Sequence, residues 1–258
     1  MLRLTTLSSV LALAATALFA DEIKVGVSPG EHAQIMEVVA KVAAPMGLDI
    51  DIVEFSDYVI PNTALADGDI EANSFQHVPY LNNQMKDRGF ELVVIGTTIT
   101  TPMGVYSEKV SDIAELEKGA RVAIPNDPTN GGRALLLLQD LGLITLADGT
   151  GLVPSPLDIN DNPKGLKFLE LDAAQLPRTL ADAEIAVINT NYASAAGLNA
   201  KDDSIAMEKA DGPYVNVIAV REGDQDQDWA NTLVDAYQSD EVKAFIEENF
   251  AGSVITSW

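Results

Sequence analysis

Ile23-Lys-Val-Gly-Val27-Ser28-Pro29-Gly30-Glu31-His-Ala-Gln-Ile35-Met-Glu-Val38-Val39-Ala-Lys-Val42-Ala-Ala-Pro-Met46-Gly-Leu-Asp49-Ile-Asp-Ile-Val-Glu-Phe55 decides the fold class. Ile23 to Val27 and Asp49 to Phe55 are short apolar or alternating runs bounded by turn residues, which is the pattern of strands. Between them Ile35, Val38, Val39, Val42 and Met46 recur at helical spacing. Ser28 is placed to cap that helix, with Pro29 at its first position and Glu31 closing a capping box. The unit is therefore βαβ, and alternation of this kind predicts an α/β protein.

The alternation continues outward. Further strands are predicted at Leu92 to Thr98, Arg121 to Ile124, Leu166 to Leu171, Ile185 to Asn189 and Asn216 to Val220. Helices are predicted at Asn130 to Leu141, Ala173 to Asp182 and Asp228 to Phe250. Two extended stretches rich in Thr, Val and Pro, Thr97 to Val105 and Pro213 to Val220, are placed to cross between two lobes. The expected division is a leader at 1–20, a first lobe at 21–104 completed by 219–258, and a second lobe at 105–218. The chain shows neither internal repeats nor a low-complexity linker.

Residues 1 to 20 have the make-up of a secretory signal: Arg3 is the only charge, an apolar run follows, and small residues offer cleavage after Ala17 or Ala20. That run is too short for a membrane anchor. The chain has no cysteine. Disulfides, thiolate metal sites and a lipidated cysteine are excluded with it. A formal charge of −23, one more negative once Arg3 leaves, repels phosphate backbones and anionic lipid. An unlipidated, soluble, exported protein is expected, free in the periplasm.

Enzyme and metal signatures fail on their chemistry. Gly26-Val-Ser28-Pro29-Gly30 matches G-x-S-x-G between a strand and a helix. The oxyanion hole of that motif needs the amide N–H after the nucleophile, and Pro29 has none. His32 and His77 are the only histidines, and neither stands in a zinc motif. Asp224-Gln-Asp226-Gln-Asp228 begins like a calcium loop, but Trp229 occupies the position that requires glycine. Glycine patterns for phosphate cofactors are absent. No catalysis, metal or cofactor is expected.

Four clusters place polar or aromatic groups at element ends, where open α/β sheets bind ligands. They are Phe55-Ser-Asp57-Tyr58-Val-Ile-Pro61-Asn62; Phe75-Gln-His77-Val-Pro-Tyr80; Pro125-Asn-Asp127-Pro-Thr-Asn130-Gly131-Gly132-Arg133; and Ile188-Asn189-Thr-Asn191-Tyr192 with Tyr214-Val-Asn216. In the third, free N–H groups of a helix start, two glycines and the planar fork of Arg133 suit an anion such as a carboxylate. Taken singly, each residue has an ordinary structural explanation. Phe75 suits a core, Arg133 suits a surface ion pair, and Asn189 and Asn216 suit turns.

The motifs Asp57-Tyr-Val-Ile-Pro-Asn62, Phe75-Gln-His-Val-Pro-Tyr80, Pro125-Asn-Asp-Pro-Thr-Asn130-x-Gly-Arg133, Ala174-Gln-Leu-Pro-Arg178 and Tyr214-Val-Asn216 stand in fixed order. Over Ile23 to Trp258 the chain resembles the methionine-binding subfamily of the NlpA-type periplasmic lipoproteins. The resemblance implies a type-II-like periplasmic binding fold whose two lobes close on methionine for delivery to an ABC importer permease. It implies that Arg133 clamps the carboxylate. Asn189 and Asn216 would hold the α-carboxylate and α-amino group, and Tyr58, Phe75, His77 and Tyr80 would enclose the thioether. On that reading Arg133→Ala weakens binding and leaves the fold intact. The chain departs from the family in lacking its lipidated cysteine. The alternatives are D-methionine, a methionine dipeptide or another apolar amino acid in the same cleft and, more remotely, a serine hydrolase using Ser28. A monomer is expected.

Overall fold

The computed structural model describes residues 21–250 and 252–258. The expected signal peptide, with its cleavage after Ala17 or Ala20, lies outside the described residues. The elements in order are β1 (Asp21–Val27), α1 (Glu31–Ala43), β2 (Leu48–Glu54), α2 (Ile60–Asp67), β3 (Ala72–His77), α3 (Val78–Arg88), β4 (Leu92–Thr100) and β5 (Gly104–Tyr106). Then come β6 (Arg121–Pro125), α4 (Pro128–Asp140), β7 (Thr145–Leu146), β8 (Ile159–Asp161), β9 (Lys167–Leu171), β10 (Ile185–Ile188) and α5 (Thr190–Ala195). The chain finishes with β11 (Ala206–Met207), β12 (Val215–Arg221), α6 (Asp228–Tyr237), α7 (Asp240–Phe250) and β13 (Ile255–Thr256).

Two larger sheets organise these elements. The first has the order β13-β4-β12-β3-β1-β2, and the second β11-β5-β10-β6-β9. The β1–α1–β2 unit forms as its periodicity predicts, with β1 parallel to both β2 and β3. Strand β12 returns antiparallel between β3 and β4. Ile35, Met36 and Val39 of α1 join Leu233, Tyr237, Val242 and Ile246 of α6 and α7 in one core over the first sheet. The second sheet has its own core, including Val122, Ile124, Leu135, Leu138 and Val187.

The chain passes between the sheets at Thr101–Met103 and again between β11 and β12. Glu208 joins the two passages: its N–H donates to the Met103 carbonyl at 2.9 Å, and its carboxylate accepts from the Met103 N–H at 3.1 Å. The expected boundary at 218/219 falls inside β12, all of which belongs to the first sheet from Val215 onward.

Three expectations are corrected. Ser28 does not cap α1: Gly30 stands at the cap with φ 86°, and Ser28 is fully buried with its Oγ unbonded. A side chain at position 30 would place its Cβ 2.5 Å from the Asn191 carbonyl oxygen, so the chain needs glycine there. Glu31 therefore starts the helix instead of closing a box. The single helix expected over Asp228 to Phe250 is two. Ser239 starts the second, its Oγ accepting from the Val242 N–H at 3.3 Å and its carbonyl from the Lys243 N–H. The predicted helix at Ala173 to Asp182 is a 3-10 turn over Ala173–Thr179 with Pro177 inside it, where proline removes an α-helical donor. Among the described residues no helix is long and apolar enough to cross a membrane.

Candidate functional site

Tyr58, Phe75, His77, Tyr80, Arg133, Asn189 and Asn216 all line one cavity of about 310 Å³ between the two sheets. His32, Gln76, Thr101, Asn130 and Asn191 complete the lining.

One wall is aromatic. Tyr58, Phe75 and Tyr80 stand with each pair of ring centroids 6.0 Å apart, tilted or edge-on. Their positions follow from local structure. Asp57 accepts the Val59 and Ile60 N–H groups at 2.7 and 3.0 Å, fixing the turn that carries Tyr58. Phe75 belongs to β3, whose six residues are all buried. His77 ends that strand and caps α3, its Nδ1 accepting the Tyr80 N–H at 3.1 Å. Behind the wall Asn62, Asn73 and Gln76 exchange amide hydrogen bonds at 2.7–2.9 Å, tying α2 to β3.

The other end is polar. Arg133 is 2 % exposed and gives Nε to the Glu208 carboxylate at 2.9 and 3.0 Å. Its Nη2 bonds the same carboxylate and the Thr101 carbonyl, and its guanidinium lies 4.3 Å from the Tyr214 ring centroid. Nη1 is left without a protein partner among the described residues. The sequence missed Glu208, which holds the fork in place and balances its charge. Asn189 and Asn216 each commit an Nδ2, to Asn130 Oδ1 at 2.8 Å and to the Ile99 carbonyl at 3.1 Å. The Oδ1 of Asn189 is buried and unbonded.

The helix start of α4 differs from expectation. Its N-terminus is already occupied: Asp127 Oδ1 accepts the Asn130 N–H at 2.8 Å and the Thr129 hydroxyl at 3.0 Å. The glycines serve the chain rather than a ligand. A Cβ at Gly131 would meet the Pro125 carbonyl oxygen at 2.7 Å, and one at Gly132 the Leu152 carbonyl oxygen at 2.7 Å. Arg133 reaches the cavity from the second turn without help from the helix amides.

Side chains meet across the gap between the sheets. Tyr58 donates its hydroxyl to Asn191 Oδ1, Tyr192 donates to the Ser56 carbonyl at 3.2 Å, and His77 Nε2 meets Asn130 Oδ1 at 3.1 Å. Burial, and then Arg133, pull the His77 imidazole down to about 3, so it is neutral. With Nδ1 accepting from Tyr80, its one proton sits on Nε2 and donates to Asn130. His32 is held down to about 4, chiefly by burial. Glu31, buried beside α5 with neither oxygen bonded, is raised to about 8 by burial. Among the described residues no group of three or more His, Asp or Glu is placed to hold a metal ion.

Asn130 and Asn191 stood in the quoted clusters, yet their amides are ordinary in sequence, and only their partners mark them. His32 carried a weak signal as one of two histidines. Gln76 stood in the second cluster and Thr101 in the first crossing, neither with a site role of its own.

A model of the NlpA lipoprotein family matches residues 23–258. Similar proteins include the D-methionine-binding lipoprotein MetQ of Salmonella typhimurium, 53% identical over 241 residues that cover 92% of this chain and 89% of that protein. The protein of the same name in Escherichia coli K12 is 52% identical with the same coverage. Among solved structures, a nutrient-binding protein from Burkholderia cenocepacia bound to methionine superposes with a TM-score of 0.90 at 52% identity, covering 92% of this chain and all of that one. The methionine-binding protein MetQ superposes at 0.89 with 52% identity, covering 92% and 98%. The two-sheet α/β arrangement is thus that of periplasmic substrate-binding proteins.

Proposed function

The chain belongs to the NlpA lipoprotein family, and from that premise we propose that it captures methionine in its interlobe cavity and delivers it to an ABC importer. The two lobes are residues 21–104 with the C-terminal segment from β12 onward, and the residues between. The observation that carries the reading is the division of the cavity into a three-ring aromatic wall and an end built on Arg133, Asn189 and Asn216. A thioether suits the rings, each sulfur–aromatic contact contributing ~0.3–1.5 kcal/mol. The free Nη1 of Arg133 faces a carboxylate, and the amide oxygens of Asn189 and Asn216 face an ammonium. Methionine has about nine non-hydrogen atoms, and the ceiling of ~1.5 kcal/mol per atom allows nanomolar affinity when the ligand is enclosed.

The protein acts without catalysis on this reading. Ser28 is fully buried and Pro29 after it has no N–H to form an oxyanion hole, so a fluorophosphonate probe should leave it unlabelled. Export through the leader, a free periplasmic state without a lipid and a monomeric form complete the proposal. The names of the relatives favour D-methionine as a second ligand of the same cavity. Native mass spectrometry of the purified protein tests the reading. A co-purified adduct of methionine mass supports it, and an adduct of another amino acid or a dipeptide would redirect it.

A further inference from the structure

Asp127 has two jobs in the structure, and a helix cap explains only one. Oδ1 completes the cap of α4 with the Asn130 N–H and the Thr129 hydroxyl. Oδ2 instead reaches the Asn130 side chain, accepting from Nδ2 at 2.9 Å. All of these partners donate, so the carboxylate acts as acceptor throughout.

That bond fixes which way the Asn130 amide points. Turned over, its carbonyl oxygen would face the carboxylate. Held as it is, Asn130 Oδ1 faces the cavity side and receives the Nε2–H of His77 at 3.1 Å and the Nδ2–H of Asn189 at 2.8 Å. The His77 proton cannot move to Nδ1, because that nitrogen accepts the Tyr80 N–H. Asn189 is oriented in turn. Its Nδ2 gives one hydrogen to Asn130, which fixes the amide plane, and its Oδ1, buried and unbonded, is the acceptor it offers. An acceptor left open in a buried site calls for a donor, and a cationic donor gains most.

We propose that Asp127 is a positioning residue that sets the hydrogen-bond polarity of the site, using Asn130 to turn Asn189 Oδ1 toward the ligand's ammonium group. The assignment rests on methionine as the ligand. It adds a residue outside the cavity lining that discriminates amino acids from their deaminated analogues.

The test compares wild type with Asp127→Asn and Asp127→Ser by calorimetric titration. The ligands are methionine and 4-(methylthio)butanoate, which keeps the carboxylate and thioether but has no amino group. Both replacements retain a capping oxygen. The amide places a donor against Asn130 Nδ2, and serine removes the second oxygen. Methionine affinity should fall about 10- to 100-fold in both variants, the loss of a charged hydrogen bond. Affinity for the deaminated acid should change less than about threefold, so the preference for methionine collapses. Equal weakening for both ligands, with a lowered melting temperature, would mean that Asp127 is a cap alone and overturn the proposal. An unchanged preference overturns it as well. Wild type that binds no methionine removes the ammonium from the argument and fails both readings, a result visible before any variant is compared.

Discussion

Replacing Arg133 with alanine separates binding from folding in a way that the sequence did not foresee. The guanidinium makes three bonds to the Glu208 carboxylate and one to the Thr101 carbonyl, and stacks on Tyr214. Its removal strands a carboxylate whose side chain is only 15% exposed, with the Met103 N–H as its remaining donor. Truncating one partner of a buried pair costs about 3–5 kcal/mol, and the partial exposure of Glu208 brings the cost below that range, to roughly 2–3 kcal/mol. For a chain of this size that lowers the melting temperature by roughly 4–12 °C. Loss of the charged contact to ligand should weaken binding by a further ~1.5–3 kcal/mol. Denaturant unfolding without ligand and calorimetry with it read the two effects separately. The double variant Arg133→Ala/Glu208→Gln should recover part of the stability and none of the affinity. An Arg133→Ala protein as stable as wild type would refute the buried-pair reasoning, and unchanged affinity would remove Arg133 from the site.

Other perturbations follow from the same geometry. Glu31 keeps its proton to about pH 8 when folded and loses it near its ordinary 4.5 when unfolded, so folding takes up a proton and stability falls as pH rises through that window. Glu31→Gln removes the effect and should gain on wild type from pH 5 to 8 by up to ~1.4 kcal/mol per pH unit in denaturant titrations; a gap independent of pH contradicts this. Tyr58→Phe removes the hydroxyl that bonds the buried Asn191 across the cavity and should weaken methionine binding by about 0.5–1.5 kcal/mol in calorimetric titration; unchanged affinity would contradict a role for this bond in the site. Gly132→Ala drives a Cβ into the Leu152 carbonyl oxygen and should destabilise by about 1–3 kcal/mol, read as a lowered denaturant midpoint.

The sequence reveals what local pattern encodes. The β1–α1–β2 unit was legible because apolar period and turn residues agree. The break between α6 and α7 was also written, in Ser239-Asp240-Glu241, a capping signal masked by apolar residues that run through it at helical spacing. The capping box at Ser28 was a misreading of local letters, since contact with Asn191 dictates Gly30 as the cap. Long-range pairings were beyond reach. Arg133 had 39 acidic residues to choose from, and only the fold brings Glu208 to it from 75 positions away. The same holds for Asn189 and Asn130, 59 apart, whose amides carry no sign of their orientation until both partners are known.

The central claim is that the cavity takes one methionine. Its most direct test is calorimetric titration of L-methionine, with D-methionine in parallel, into protein stripped of ligand by unfolding and refolding. The account predicts saturable one-to-one binding of methionine in the micromolar range or tighter, about −8 kcal/mol or better. Refolded, monomeric protein that gives no heat with either enantiomer, yet binds a different amino acid one-to-one, would contradict it.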